Sequence, residues 1–210
     1  MKKAGQKPAG GIGQAVTSPK GIMALLGING RQMRIQGFPP IADANATILI
    51  LGTMPGKASL KENQYYAYPR NLFWKILGSI LGFDPVDSYE NRVKMVLASR
   101  IAIWDVTKSC ARESSLDADI SAVVPNDFSM FFSLHTQIRR TCFNGAKAEQ
   151  LFMKHVYPPL AERCKPLDFI RLPSTSPANA STPFDKKRKA WETALSNRFT
   201  DADDYLTTIA

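Results

Sequence analysis

From residue 37 onward, short apolar runs alternate with stretches in which apolar residues recur every three or four positions. Runs at residues 46–51, 100–104, 140–143 and 168–172 are β-rich and too short for helices, so they read as four strands. After the first run, Leu72, Phe73, Ile76, Leu77, Ile80 and Leu81 fall on one stripe of a helix starting near Asn71. Asp127 starts a second helix holding Met130, Phe131, Phe132 and Leu134, and Gly145 starts a third that ends before Pro158-Pro159. Thr182-Pro183-Phe184-Asp185 offers the last helix an N-cap, a proline at its first position and an early carboxylate. Strands separated by helices predict an α/β fold, a three-layer sandwich whose central four-stranded parallel sheet is flanked by helices.

The ends break this pattern. Residues 1–36, rich in Gly, Lys, Gln and Pro, predict a basic disordered tail, and residues 200–210 predict a frayed one, leaving residues 37–199 as a single domain. With 44% hydrophobic and 10% aromatic residues among 210, the chain can fill one core. No stretch approaches the roughly 18 consecutive apolar residues of a membrane span, and the start runs into polar residues, so a cytoplasmic protein with no membrane contact is expected. A net charge of +9 favours a polyanionic partner, nucleic acid first and an anionic membrane surface second. Cys110, Cys142 and Cys164 are scattered and lack metal-site spacing, so they read as small core residues and no metal is expected. The basic run Lys186-Lys187-Arg188-Lys189 reads as a solvated helix face.

In open parallel sheets, ligands bind beyond the carboxyl ends of the strands. The first such loop, Gly52-Thr53-Met54-Pro55-Gly56-Lys57-Ala58-Ser59, leaves a buried strand sharply, with glycines permitting close backbone approach. It is not a phosphate-binding GxxxxGK[ST] loop, because Leu51 and Ala58 occupy positions where glycine and a hydroxyl residue are required. Farther on, Tyr65, Tyr66, Tyr68, Arg70 and Asn71 cluster before the helix. Aromatic faces there can stack a base and Arg70 can meet phosphate; equally, the tyrosines can edge the core and Asn71 can cap the helix.

The segment from Gly52 to Trp74 resembles the first motif of mismatch-specific uracil-DNA and thymine-DNA glycosylases, GINPG followed at fixed spacing by HPxNRFW. Its pieces here are Gly52-Thr53-Met54-Pro55-Gly56 and Tyr68-Pro69-Arg70-Asn71-Leu72-Phe73-Trp74. The resemblance implies a glycosylase of the uracil-DNA glycosylase superfamily in which Tyr66 stacks on a flipped base and the loop from Gly56 to Ser59 lies along the pocket. Met54 stands where those relatives carry an asparagine or aspartate that handles the attacking water, and a thioether cannot do that. The hypoxanthine-DNA glycosylase branch is similar in that departure, and it assigns catalysis to the asparagine that maps to Asn71. An amide can position water or steady the leaving base but cannot be a general base.

Leu172-Pro173-Ser174-Thr175-Ser176-Pro177, after the fourth strand, resembles the second motif of the superfamily, implying DNA-backbone contact at Pro173, Ser174 and Ser176. Leu172 replaces the histidine of the uracil-specific branch. Phe143-Asn144-Gly145 resembles an FNG element in which Asn144 reads a base edge, while an Asn-Gly turn is the plain alternative. Trp104-Asp105 is a candidate pocket wall, with Asp105 equally readable as a buried N-cap. Neither His135 nor His155 is given a role, and Lys57 reads as solvated. The expected protein is thus a monomeric, cofactor-free DNA glycosylase acting on double-stranded DNA that holds a deaminated base. Asn71 is catalytic; Thr53, Met54, Tyr66 and Asn144 form the base pocket; Gly56, Ser59, Arg70, Pro173, Ser174 and Ser176 bind DNA. Hypoxanthine leads, with uracil-DNA glycosylase activity or a damage-binding module without catalysis as alternatives.

Overall fold

The computed structural model describes residues 34–112, 119–161 and 168–196. Within them the chain forms β1 (Arg34–Gln36), β2 (Ile48–Gly52), α1 (Lys57–Glu62), α2 (Phe73–Leu81), α3 (Tyr89–Ala98), β3 (Ile101–Asp105), β4 (Thr107–Ala111), β5 (Ser121–Pro125), α4 (Phe128–Leu134), β6 (Arg140–Asn144), α5 (Ala146–His155), α6 (Tyr157–Ala161), β7 (Asp168–Leu172) and α7 (Phe184–Leu195). A short 3-10 turn, Pro177–Asn179, precedes α7.

The four expected strands form one parallel sheet in the order β3-β2-β6-β7. Strand β2 runs through its middle, with Ile50 opposite Ile103 on one side and Cys142 on the other. Every residue of β2 and β3 is buried, as a sheet covered on both faces requires. Ile41 exchanges backbone hydrogen bonds of 2.9 and 2.8 Å with Ile103, so the chain before β2 covers the outer edge of β3. Helix α5 packs on β6 and β7, α7 on β7 and α2, and α3 on β3. The predicted α/β architecture, a parallel four-stranded sheet between helices, is the observed one.

A second sheet was not read from the sequence. Strands β1, β4 and β5 pair antiparallel in that order, with Ile35 opposite Cys110. Its strands are short and carry Thr107, Lys108 and Ser109, so they lack the apolar run that marked the others. Pairing within it gives Arg34–Gln36, the last three residues of the expected tail, a place in a sheet; residues 1–33, the segment 200–210 and Cys164 lie outside the described residues.

Local chemistry accounts for most helix ends. Ser88 caps α3 by accepting from the Asn91 N–H, and Asp127 caps α4 by accepting from the Met130 N–H at 2.9 Å, as expected. Helix α2 begins two residues later than expected and buries Phe73, Trp74, Ile76 and Leu77. Helix α5 ends at His155, before Pro158-Pro159 as expected, and the two prolines sit in the first turn of the separate helix α6, where missing N–H groups cost nothing. Thr182 does not cap α7; the cap position is Pro183, which offers no side-chain oxygen. Nor is the basic run of α7 wholly solvated: Lys187 is 1% exposed, and its ammonium donates to the Asn179 carbonyl at 2.7 Å.

Candidate active site

Residues from four chain segments converge at the carboxyl ends of β2, β3, β6 and β7 around a cleft of about 870 Å³. The first segment is the loop after β2. Its backbone extends the sheet, with the N–H groups of Val106 and Thr107 donating to the carbonyls of Gly52 and Thr53 at 2.9 and 3.2 Å. A Cβ at Gly52 would stand 2.3 Å from Asp105 Oδ1 and 2.8 Å from the Tyr66 hydroxyl, so only glycine lets these two groups close over the strand end. Met54 lines the cleft but is 6% exposed; it packs with Cys110, Ile120, Ile35 and Val123 in a second small core beneath the antiparallel sheet. Met54, at the position where the resemblance implies a water-handling side chain, here packs the loop after β2 against the antiparallel sheet.

The tyrosine segment is held from several sides. Ser59 is buried and its hydroxyl oxygen accepts from the Ala67 N–H at 3.2 Å, bracing the turn. Tyr66 adopts a left-handed backbone, φ 55°, which sets its ring against Phe73 at 3.7 Å and 14°, with the ring still on the cleft wall. Tyr65 donates to the Pro39 carbonyl at 3.2 Å, and its own carbonyl accepts from the Trp74 indole at 2.8 Å. Burial, with the Asp105 carboxylate second, pushes the Tyr65 phenol far above its ordinary range, so it remains a neutral donor. Arg70 is exposed on the rim, its guanidinium donating twice to the Tyr68 hydroxyl at 2.9 and 2.6 Å.

Asn71 lines the cleft directly before α2. Its Oδ1 accepts from the Phe73 N–H at 3.0 Å, while the N-cap position itself is Leu72, which has no side-chain cap; Asn71 thus bonds the first helical N–H from one residue before the cap and lines the cleft. A second lone pair on that oxygen and both amide protons remain for a ligand.

The third and fourth segments are clasped together. The Asn144 side chain donates to Thr175 Oγ1 and accepts from the Thr175 N–H, both at 2.9 Å. The Thr175 carbonyl accepts from the Leu72 N–H at 3.0 Å, tying the same residue to the start of α2. Thr175 is 0% exposed and joins three loops of the cleft. Sequence reading passed over it, because a threonine between two serines in a surface-like loop carries no signal of such contacts. Gly145, at φ 99°, leaves only 2.8 Å between a would-be Cβ and Ser174 Cβ, so its backbone conformation and the loop's approach both require glycine. The Ser176 N–H donates to Ser174 Oγ at 3.2 Å, Asn179 Nδ2 to the Ser174 carbonyl at 3.2 Å, and the Trp191 indole to the Pro173 carbonyl at 3.0 Å.

Of the residues singled out from the sequence, Thr53, Met54, Gly56, Ser59, Tyr66, Arg70, Asn71, Asn144, Ser174 and Ser176 all line this cleft; Pro173 lies behind it. Asp105 also lines it, 3% exposed, and ends a strand without capping a helix, while Trp104 is not part of the wall.

A parallel-sheet cleft with a fixed aromatic face, an amide beside a helix start and a braced hydroxyl loop is the arrangement that the resemblance of residues 52–74 implies. Comparison with known proteins agrees. The family model for the uracil DNA glycosylase superfamily matches residues 39–195, and the chain belongs to that superfamily. It is 39% identical over 159 residues to a hypoxanthine DNA glycosylase of Methanosarcina acetivorans, covering 75% of this chain and 95% of that protein. A hypoxanthine DNA glycosylase of Methanosarcina barkeri is 41% identical over 117 residues, 55% of this chain and 74% of the relative. The solution NMR structure of a candidate uracil DNA glycosylase from Methanosarcina acetivorans superposes with a TM-score of 0.66 at 34% identity, covering 78% of this chain and 97% of that one.

Proposed function

We propose that this protein removes hypoxanthine from double-stranded DNA by hydrolysing the bond between base and deoxyribose, initiating base-excision repair as a cytoplasmic monomer. The observation that carries the reading is the exchange of roles between Met54 and Asn71: the first is committed to the core, while the second presents its amide to the cleft. Two hypoxanthine DNA glycosylase relatives support the substrate class.

Basic and hydroxyl groups around the cleft, with Arg70, Gly56, Ser59, Ser174 and Ser176 on its wall and Pro173 stiffening the second loop, hold the duplex backbone. The deaminated base leaves the stack and lies on the face of Tyr66 not taken by Phe73. Thr53 and Met54 close the base pocket. Asn144 has one amide proton and one lone pair beyond its clasp on Thr175, and these meet the base edge. As the glycosidic bond breaks, its electron pair leaves with the base; the Asn71 amide stabilises that charge or positions the water that captures the sugar. A uracil substrate is the second reading, favoured by the candidate uracil DNA glycosylase that shares the fold.

Base release from labelled duplexes containing deoxyinosine or deoxyuridine, read by alkali cleavage of the abasic product, tests both. Release from inosine that collapses in a folded Asn71→Ala variant is expected. A strong preference for uracil supports the second reading, and tight binding without release from either duplex would replace catalysis with damage recognition.

A further inference from the structure

Arg112 follows the last residue of β4 and is 7% exposed. Its Nη2 donates to the Pro55 carbonyl, 57 residues away in sequence. Among the described residues no carboxylate pairs with it, and its Nε has no hydrogen-bond partner. Covering a guanidinium that has no carboxylate partner among the described residues is expensive, so the arrangement calls for a reason beyond packing.

The peptide it holds supplies one. The Pro55–Gly56 bond is trans, so its carbonyl and its N–H point in opposite directions. Pro55 and Gly56 both line the cleft, whereas Arg112 does not. With the carbonyl tied to a cation behind the loop, the Gly56 N–H is turned the other way, and it has no acceptor among the described residues. The same cation polarises the peptide, making that N–H a stronger donor.

We propose that Arg112 is a positioning residue for base departure, resting on the glycosylase reading above. From behind the first loop it fixes the Pro55–Gly56 peptide with its donor toward the cleft. Its charge, little screened where it is buried, favours the anion that the departing base becomes. In the reaction the C1′–N bond breaks with its pair retained by the base, water oxygen bonds C1′, and the proton that water gives up neutralises the base. Arg112 transfers no proton in this step. In a chain with methionine at position 54, stabilising the leaving base is the contribution most needed.

The test compares wild type, Arg112→Met and Arg112→Lys in single-turnover release of hypoxanthine, xanthine, uracil and 5-fluorouracil, a series graded in leaving-base acidity. Arg112→Met is expected to slow release of the least acidic bases by about 100-fold and of 5-fluorouracil by less than about 10-fold. Arg112→Lys should recover part of the loss, with duplex affinity and melting temperature close to wild type in both. Equal slowing across the series, or none, overturns the proposal and leaves Arg112 as a loop anchor. Replacing a buried cation by an apolar chain of similar length is compatible with folding, and the lysine variant gives the same comparison if Arg112→Met does not fold. Wild type that releases uracil but no hypoxanthine would overturn the substrate reading and still test Arg112 through the uracil and 5-fluorouracil pair. Wild type inactive on all four bases would overturn both.

Discussion

The proposed function gives Asn71 two jobs that spacing along the chain could not separate. Its Oδ1 accepts the first N–H of α2, that of Phe73, which leaves the NH2 as the group with full freedom toward a base. Asn71→Asp keeps an acceptor for the cap and removes the donor, so it should melt with wild type while base release falls about 100-fold or more. Asn71→Ala should lose the same activity and, in addition, about 1 kcal/mol of stability. Melting curves beside single-turnover rates check both, and an active Asp variant would move the working group to the oxygen. Cys142 gives a simpler prediction. Burial is the first cause, the nearby Arg140 guanidinium opposing it, of a thiol pKa pushed up to about 12. Because the folded state raises that pKa above its ordinary value, the resulting stability is complete below that value and is lost as pH climbs toward 12. At neutral pH Cys142 carries almost no thiolate, and Cys110 is likewise fully buried. A Cys164→Ser variant should therefore react with a thiol reagent at these two positions only on unfolding. That Asn71 was legible while Thr175 was not follows from where each contact lies. The first makes its bond two residues away; the second makes its bonds to residues 144 and 72.

At the level of elements, the cleft depends on loops that brace one another more than on the strands that carry them. Thr175→Val keeps the shape of the side chain and the backbone bonds, yet leaves the Asn144 amide without its hydroxyl acceptor. It should cost about 1–3 kcal/mol in urea unfolding and slow base release, whereas Thr175→Ser should restore both. The β2, β3 and β6 strands announced themselves as short buried runs of a parallel sheet, and β7 as a short β-rich run of which only Leu172 is buried. Strands β1, β4 and β5 did not, since their polar and partly exposed residues gain a partner only once the chain has folded. The Lys187 ammonium under the second loop is a comparable case: a charged run has the same appearance whether one of its members points inward or out.

For the molecule as a whole, charge is the property that reaches beyond the cleft. A net charge of +9 predicts steep salt dependence of duplex binding, each phosphate contact adding about −0.9 to the slope of log affinity against log salt. Arg70→Ala should lower that slope by about 1 without changing which base is released, as fluorescence anisotropy at several salt concentrations and a base-release assay would show.

Hydrophobic periodicity by itself determined the parallel sheet, four of the helices and the loops at its carboxyl ends, because burial of an apolar face is written in residue order; α1, α3 and α6 were not legible in it. The resemblance carried by the residues from Gly52 to Trp74 pointed to the family and implied a role for Asn71. Only the tertiary structure decided that Met54 belongs to a second core, that Asp105 reaches the cleft over Gly52, that Thr175 clasps three loops and that Arg112 stands behind Pro55. Each of these joins residues far apart in the chain, and whether a polar side chain finds its partner across such a distance depends on the geometry of packing, to which a linear pattern is blind.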